Sequence, residues 1–357
     1  MKAWVLHGVG DFRMEIIEEP KIGDNEVLVE VKAAGICGSD IQRVYETGAH
    51  IHPIIIGHEF SGIVVKTGRN VDTRWLGLHV GVYPLIPCGK CVPCQRKAYE
   101  MCRHYDYLGS RRNGGFAEYA AVPAGSLVEL PGNVGFEEAA MLEPLAVAVH
   151  AIRRVVFKDS EVVVICGLGT IGLNLLMLLW ESGVRKVLAI GNKDFQKQAA
   201  VRIGLAEECY FDAGKGPADQ WIAENTAGMG ADVFFECVGR NETLMQAVCN
   251  TAPGGRICLV GNPYSDMKLD KSTYWKILRN QLTIMGTWNS SYADALGEGA
   301  AMCSGEDDWQ YALERLAKGR VRPADVISHR FSLEELAQGF QIMRDKTEGY
   351  GKIMIHN

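Results

Sequence analysis

The chain has 357 residues, 47% of them hydrophobic and 22% charged, with a formal net charge of −6. That length exceeds one ordinary hydrophobic core, so two domains are expected, and the composition is that of a globular rather than a disordered chain. The acidic balance, with no basic block longer than two residues, argues against a nucleic-acid partner.

The N-terminal stretch MKAWVLHGVGDFRMEIIEEP carries neither a long apolar run nor a small-residue cleavage site, which predicts a cytoplasmic protein. LNLLMLLW (173–180) is too short to span a bilayer, so no membrane partner is expected. Eleven cysteines is an odd number, and without an export signal it favours metal ligands or buried thiols over a disulfide framework. VLVEVKAAGIC (27–37) and FSGIVVKTG (60–68) read as strands ending in turns, and residues 1–150 as an irregular β-rich domain.

CGKCVPCQRKAYEMC places four thiols at Cys88-x2-Cys91-x2-Cys94-x7-Cys102. Zn²⁺ prefers a tetrahedral set of soft ligands, and four thiolates fill it with no position left for substrate. A redox pair needs only two thiols, and buried structural cysteines need no such crowding. Short spacings let one loop fold around an ion, with Pro87, Gly89 and Pro93 setting its turns. A closed structural zinc lobe over 88–102 is therefore expected.

The pattern changes near residue 160. EVVVICGLGTIGLNLLMLLWESG reads as a buried strand, a glycine-rich turn and an apolar helix. KVLAIGN and KQAAVRIG follow as strand and helix, and ADVFFECVG and GGRICLVG as further strands. Strands alternating with helices predict a doubly wound parallel sheet over 151–289. In that setting Gly167-Leu-Gly169-Thr170-Ile171-Gly172 is a dinucleotide turn, whose glycines let the backbone approach a pyrophosphate at the helix N-terminus. The acid that binds an NAD ribose is expected about 20 residues on. Here KVLAI is followed by Gly191-Asn192-Lys193, with Asp194 displaced. Losing a carboxylate and gaining a cation suits a 2′-phosphate, so NADP is expected over NAD, although a solvated surface lysine would look the same. From about 290 the alternation weakens, and DDWQYALERLAKG and LEELAQGFQIM read as helices before a final strand, KIMIH.

Cys37 in GICGSD, His58 and Glu59 in GHEFSG, and Glu143 in MLEPLAV offer sulfur, nitrogen and oxygen donors. A catalytic zinc takes such a set while keeping a position for water or substrate. Each residue alone reads equally as structural; only the set points to chemistry. Such an ion lowers the pKa of a bound alcohol, so that hydride can pass from the carbinol carbon to a nicotinamide. Ser39, two residues after Cys37, is a candidate to carry the proton outward.

Together these residues resemble the zinc-dependent medium-chain alcohol and polyol dehydrogenase family. Gly57-His58-Glu59-x2-Gly62-x5-Gly68 fits its zinc signature, and Cys37-Gly-Ser-Asp40, the four-cysteine lobe and the glycine turn occur in the family order. The resemblance covers the whole chain. It implies an α/β protein with a GroES-like β-rich catalytic domain, made of 1–150 and 290–357, around a doubly wound Rossmann domain. It also implies two zinc ions per chain, one structural and one catalytic. Cys37, His58, Glu59 and Glu143 would surround the catalytic ion, with Glu59 or Glu143 alternating between direct and water-mediated ligation. Two departures stand out. Gln42 occupies the position where many relatives place a relay histidine, so the relay ends at Ser39 and the cofactor ribose; and Gly77-Leu-His-Val80 replaces a Gly-Asp-Arg-Val turn.

Within the family, GICGSDIQRVYETGAH, HPIIIGHEFSG, YDYLGSRRNGGFAEY and KILRNQLTIMGTWNSSY resemble members that oxidise a polyol phosphate to a ketose phosphate. A phosphate needs an anion clamp. Arg111 and Arg112 are the first candidates, since a guanidinium meets phosphate with two hydrogen bonds; Arg43 and His50 come next. The alternative substrate is an unphosphorylated polyol or sugar, or L-threonine. A homodimer or homotetramer acting on a small molecule is the assembly that the resemblance implies.

Overall fold

The computed structural model describes residues 1–158, 160–297 and 307–357. The expected return segment, 290–357, thus includes nine positions, 298–306, that lie outside the described residues. The chain divides into two compact units, Met1–Ala146 with Ser290–Asn357, and Val147–Asn289. The first division falls inside the helix Leu142–Arg153.

The first unit is built on a seven-stranded sheet. Its path runs Leu127–Glu129, His79–Val82, Glu59–Thr67, Glu26–Ile36, Lys352–His356 and Ile327–Ser332, and Tyr119–Pro123 also pairs with Glu26–Ile36. Glu26–Ile36 is the spine, buried from Ala33 to Ile36 on both faces. Small residues occur there because neighbours press close: a Cβ on Gly35 would lie 2.3 Å from Glu59 Oε2. Lys352–His356 pairs antiparallel with that buried end, Ile353 opposite Ile36 and Ile355 opposite Ala34. Ile327–Ser332 runs parallel to it and is not apparent in the sequence. Of its residues, ISHRFS, Ile327 is buried, Arg330 exposed and the rest half-buried, so no period-two contrast marks the strand.

Aromatic side chains tie the unit's core. Trp4 and Phe12 rings lie 5.1 Å apart, Phe12 and Phe340 5.0 Å, and Phe340 and Phe116 5.9 Å. Burying each such side chain contributes about 1.5–3 kcal/mol, so helix Leu336–Asp345 docks firmly through Phe340. The turn before Glu59 depends on glycine. Gly57 has φ +96°, and a Cβ there would meet the Phe116 ring at 2.9 Å. That turn aims His58 and Glu59 into the sheet.

The second unit holds a six-stranded, all-parallel sheet ordered Tyr210–Asp212, Lys186–Gly191, Val162–Cys166, Ala231–Glu236, Thr251–Leu259, Thr283–Gly286. Counted within the unit this is 3-2-1-4-5-6, the Rossmann order. Its inner strands are near-continuous apolar runs because helices cover both faces, and Val163, Val164, Ile165, Phe234 and Phe235 are fully buried. Thr283–Gly286 is an edge strand. Among the described residues, no helix is long and apolar enough to cross a membrane.

Candidate active site

Strand Glu26–Ile36 delivers Cys37 to the start of the short helix Gly38–Gln42, and the Gly57 turn delivers His58 and Glu59 opposite it. One ligand atom from each of Cys37, His58 and Glu59 lies within 4.8 Å of the others. His58 and Glu59 are 4% and 2% exposed, a depth that needs a partner for every polar atom. His58 Nδ1 stands 3.5 Å from Asp40 Oδ1, close enough for attraction but without hydrogen-bond geometry. With Nδ1 turned to Asp40, Nε2 is left to the cluster. This is the carboxylate–imidazole arrangement that orients a metal-binding histidine.

Glu143 stands just outside the tight three, coupled electrostatically to His58 and Glu59, and its Oε1 accepts a 3.3 Å hydrogen bond from Tyr107 Oη. Burial, reinforced by Glu59, pushes its carboxyl up to about 7. Burial by itself would lower the His58 pKa, but Asp40 and Cys37 hold the imidazolium well above its ordinary range. An excess of negative charge around one imidazole is the electrostatics of a cation site. A bound divalent ion reverses it, because a ligating imidazole is neutral. Sulfur, nitrogen and oxygen donors in this grouping fit zinc with an open position.

Three contributors were not among the candidate site residues of the sequence. Lys352 is 2% exposed, and its Nζ forms an ion pair with Glu59 Oε2 and donates to Ile36 O at 3.1 Å. Asp40 is fully buried; burial opposes its ionisation, but His58 and Arg43 outweigh that and hold its carboxyl below the usual range. Tyr107 is also buried, its ring 5.8 Å from that of His58. The sequence signal for Lys352 was a lone lysine opening an otherwise apolar strand, KIMIH. Ser39 donates to Cys37 Sγ at 3.3 Å and accepts from Arg43 Nη1 at 3.0 Å. A guanidinium cannot take a proton onward, and neither can Gln42, which closes the helix.

The four lobe cysteines come together as a second group. Zn–S bonds of about 2.3 Å set tetrahedral S–S edges of about 3.8 Å. Here Cys91 Sγ lies 3.4 Å from Cys94 Sγ and 3.8 Å from Cys102 Sγ, and Cys88 Sγ lies 4.0 Å from Cys94 Sγ. The Cys88 backbone N–H also donates to Cys102 Sγ at 3.2 Å. Backbone N–H groups of Arg103 and Cys94 hold the Cys91 thiol down at about 6, while burial pushes Cys94 up to about 12. All four must be deprotonated to ligate, so zinc uptake at this lobe releases protons.

In the second unit, strand Val162–Cys166 ends at Gly167, with φ +100°, and helix Thr170–Glu181 begins behind Gly169. A Cβ on Gly172 would lie 2.0 Å from Gly167 O, which explains the third glycine by close packing of turn on helix. Thr170 and Ile171 open that helix. Gly191 closes strand Lys186–Gly191, and a Cβ there would lie 2.8 Å from Tyr210 Oη and 2.9 Å from Gln196 Oε1. The Asn192 N–H donates to Gln196 Oε1 at 3.0 Å, and Lys193 caps helix Asp194–Ile203 while its carbonyl accepts from Tyr210 Oη at 3.3 Å. Tyr210 and Gln196 thus fill the space a ribose-binding carboxylate would take.

The four substrate candidates separate. Arg112 forms an ion pair with Glu26 and approaches Asp106 Oδ2 at 3.6 Å, so its charge is already balanced. Arg111 stacks its guanidinium 4.7 Å over the Tyr105 ring, and its buried Nε has no hydrogen-bond partner. Arg43 is engaged with Ser39 and Asp40. His50 is exposed, its backbone N–H reaching Ser110 O at 3.4 Å beside the Arg111 turn.

Residues 23–132 match the family model described as the alcohol dehydrogenase GroES-like domain, and residues 170–318 that described as zinc-binding dehydrogenase. Over 323 residues the chain is 33% identical to galactitol 1-phosphate 5-dehydrogenase of Escherichia coli strain K12, covering 90% of each protein. It superposes on the crystal structure of galactitol-1-phosphate dehydrogenase from Escherichia coli with a TM-score of 0.89 at 31% identity, covering 100% of both chains. A zinc-binding dehydrogenase from Sinorhizobium meliloti 1021, bound to NADP, superposes with a TM-score of 0.88 at 27% identity, covering 100% of this chain and 99% of that one.

Proposed function

We propose a substrate and a mechanism from one premise: the chain belongs to the zinc-dependent medium-chain alcohol dehydrogenase family and is an oxidoreductase acting on CH–OH donors. The reading is oxidation of a secondary alcohol of a polyol phosphate to the ketose phosphate, with hydride transfer to NADP⁺ in preference to NAD⁺. The observation that carries it is the grouping of thiol, imidazole and carboxylate within 4.8 Å in a chain 33% identical to a polyol-phosphate dehydrogenase.

Cys37, His58 and Glu59 or Glu143 would hold a zinc ion, which would supply the Lewis acidity that lowers the pKa of a bound alcohol, and a nicotinamide cofactor would supply the hydride acceptor. The chain's own residues prepare that site. Asp40 fixes the imidazole orientation of His58, and Lys352 balances the charge of Glu59. Tyr107 holds Glu143 by a hydrogen bond, which leaves it ready to exchange in or out of a ligand set. Ser39 presents its hydroxyl at Cys37, with no titrating base behind it.

Gly191 supports NADP, because it carries no carboxylate itself and a side chain in its place would meet Tyr210 and Gln196. For the phosphate clamp the reading passes from Arg112, already paired, to Arg111, whose buried Nε lacks a hydrogen-bond partner. A second copy of the chain is the expected partner. Helix Lys271–Arg279 exposes Tyr274, Trp275 and Leu278, and the adjoining edge strand exposes Ile284. Large apolar side chains beside an unpaired strand edge are covered in a stable protein, and Trp275→Glu is expected to yield a monomer on light scattering.

The test is turnover with zinc, both cofactors, L-threonine, and polyols with and without phosphate, followed at the reduced-nicotinamide absorbance. The phosphorylated polyol with NADP⁺ is expected to give the highest kcat/KM. Arg111→Ala should raise KM for it about tenfold, equivalent to about 1.4 kcal/mol, and spare the unphosphorylated polyol. Equal activity on both polyols, or a preference for L-threonine, overturns the substrate.

A further inference from the structure

Arg43 lies at the start of a single π-helical turn, Arg43–Thr47, that follows the short helix Gly38–Gln42. Such turns are rare and recur at functional sites. The arginine points back along its own helix. Its Nη1 donates to Asp40 Oδ1 at 2.7 Å and to Ser39 Oγ at 3.0 Å. Its side chain is 19% exposed and that of Asp40 0%. Each acceptor in turn touches one member of the metal-binding group: Ser39 Oγ donates to Cys37 Sγ at 3.3 Å, and Asp40 Oδ1 faces His58 Nδ1 at 3.5 Å. Asp40 Oδ2 also accepts the Cys37 backbone N–H at 3.1 Å.

We propose that Arg43 is a positioning residue for the metal-binding group: through one nitrogen it fixes Ser39 and Asp40, and through them Cys37 and His58. The inference rests on the dehydrogenase reading, in that this group is where zinc binds. A guanidinium only donates, so a serine oxygen that accepts from it has its single proton directed elsewhere, here to the Cys37 sulfur. A buried carboxylate without a cation would carry an uncompensated charge and turn towards whatever could balance it, His58 included. Arg43 removes that pull and leaves Asp40 to orient the ring. Lysine, a point charge on a flexible stem, can balance Asp40 but cannot hold both acceptors in one plane.

Partners that act on a metal through its ligands change affinity about 10–100-fold when removed. The full chain, Arg43→Met and Arg43→Lys are stripped of weakly held metal and titrated with zinc alone, with zinc per chain measured by elemental analysis. The four-cysteine lobe, remote in the chain from Arg43, serves as an internal standard for folding. The unsubstituted chain is expected to take two zinc ions. Arg43→Met should keep the lobe ion and bind the other about 10–100-fold more weakly, with Arg43→Lys in between. In an Asp40→Asn background the Arg43→Met effect should shrink by at least about threefold, leaving only the part carried through Ser39. Arg43→Gln takes the place of Arg43→Met if the latter fails to retain lobe zinc. Zinc affinity unchanged by the substitution, with only KM for a phosphorylated substrate raised, overturns the proposal and makes Arg43 a substrate contact. So does an undiminished effect in the Asp40→Asn background. An unsubstituted chain that binds only one zinc, at the four cysteines, sinks the proposed zinc mechanism itself, before any variant is compared.

Discussion

Replacing Lys352 with methionine tests the electrostatics of the site most directly. The lysine and Glu59 side chains are 3% and 2% exposed, and no solvent can replace the ion pair once it is broken. Glu59 would remain as a buried charge with Glu143, which also acts on Lys352, close by. Removing one partner from a buried pair destabilises by about 3–5 kcal/mol, a large part of a total stability of about 5–15 kcal/mol. With a urea m-value of about 2–3 kcal/mol/M, the midpoint of the first unit falls by about 1–2.5 M. Adding Glu59→Gln removes the stranded charge and restores most of the loss. Excess zinc, binding the folded chain alone at a hundredfold over its Kd, restores about 2.7 kcal/mol by mass action. A Lys352→Met chain within about 0.5 M of the unsubstituted midpoint, or a double variant no better than the single one, would show that the pair does not balance the site.

Cys94→Ser should reduce zinc from two ions to one per chain and lower the thermal midpoint by about 2–4 °C for every kcal/mol lost; unchanged zinc content refutes the lobe assignment. Gly191→Asp combined with Tyr210→Phe, which removes the hydroxyl a new Cβ would crowd, should lower kcat/KM for NADP⁺ at least about tenfold relative to NAD⁺, and an unchanged ratio refutes the cofactor argument. Arg330 grips Glu137 through two hydrogen bonds of 2.6 and 2.8 Å, and His356 adds to it, so the carboxyl sits below its usual value of 4.5. The folded pKa is the lower one, so the stabilisation is complete above the unfolded value and disappears as pH falls through the folded one. Glu137→Gln should therefore be less stable by about 1 kcal/mol at pH 7, allowing for partial exposure, with the difference closing towards pH 3. A difference independent of pH refutes it.

Local chemistry was the legible part of this chain. Four cysteines that carry their own spacing, and a glycine turn bracketed by an apolar strand and helix, need no distant partner to be interpreted. The Rossmann strands read clearly because burial on both faces leaves uninterrupted apolar runs such as VVVIC and VFF. Long-range pairings were not legible. Lys352 meets Glu59 across 293 positions, and a charged residue in an apolar strand gives no indication of what it faces. Arg111 and Arg112 are adjacent and chemically identical, yet Glu26, 86 positions away, neutralises only the second. Asp40 entered only as the last residue of the Cys37-Gly-Ser-Asp40 element, and nothing local showed that it is fully enclosed.

The pairing of Lys352–His356 with Glu26–Ile36 also bears on vectorial synthesis. Residues 147–289 are contiguous and can finish their sheet while still tethered to the ribosome. The other unit cannot, since the strand that flanks Ile36 emerges some 290 residues after Glu59. Until then a nascent chain carries Cys37, His58 and Glu59 without the lysine that completes their surroundings, so this group of side chains reaches its final form only at the end of synthesis.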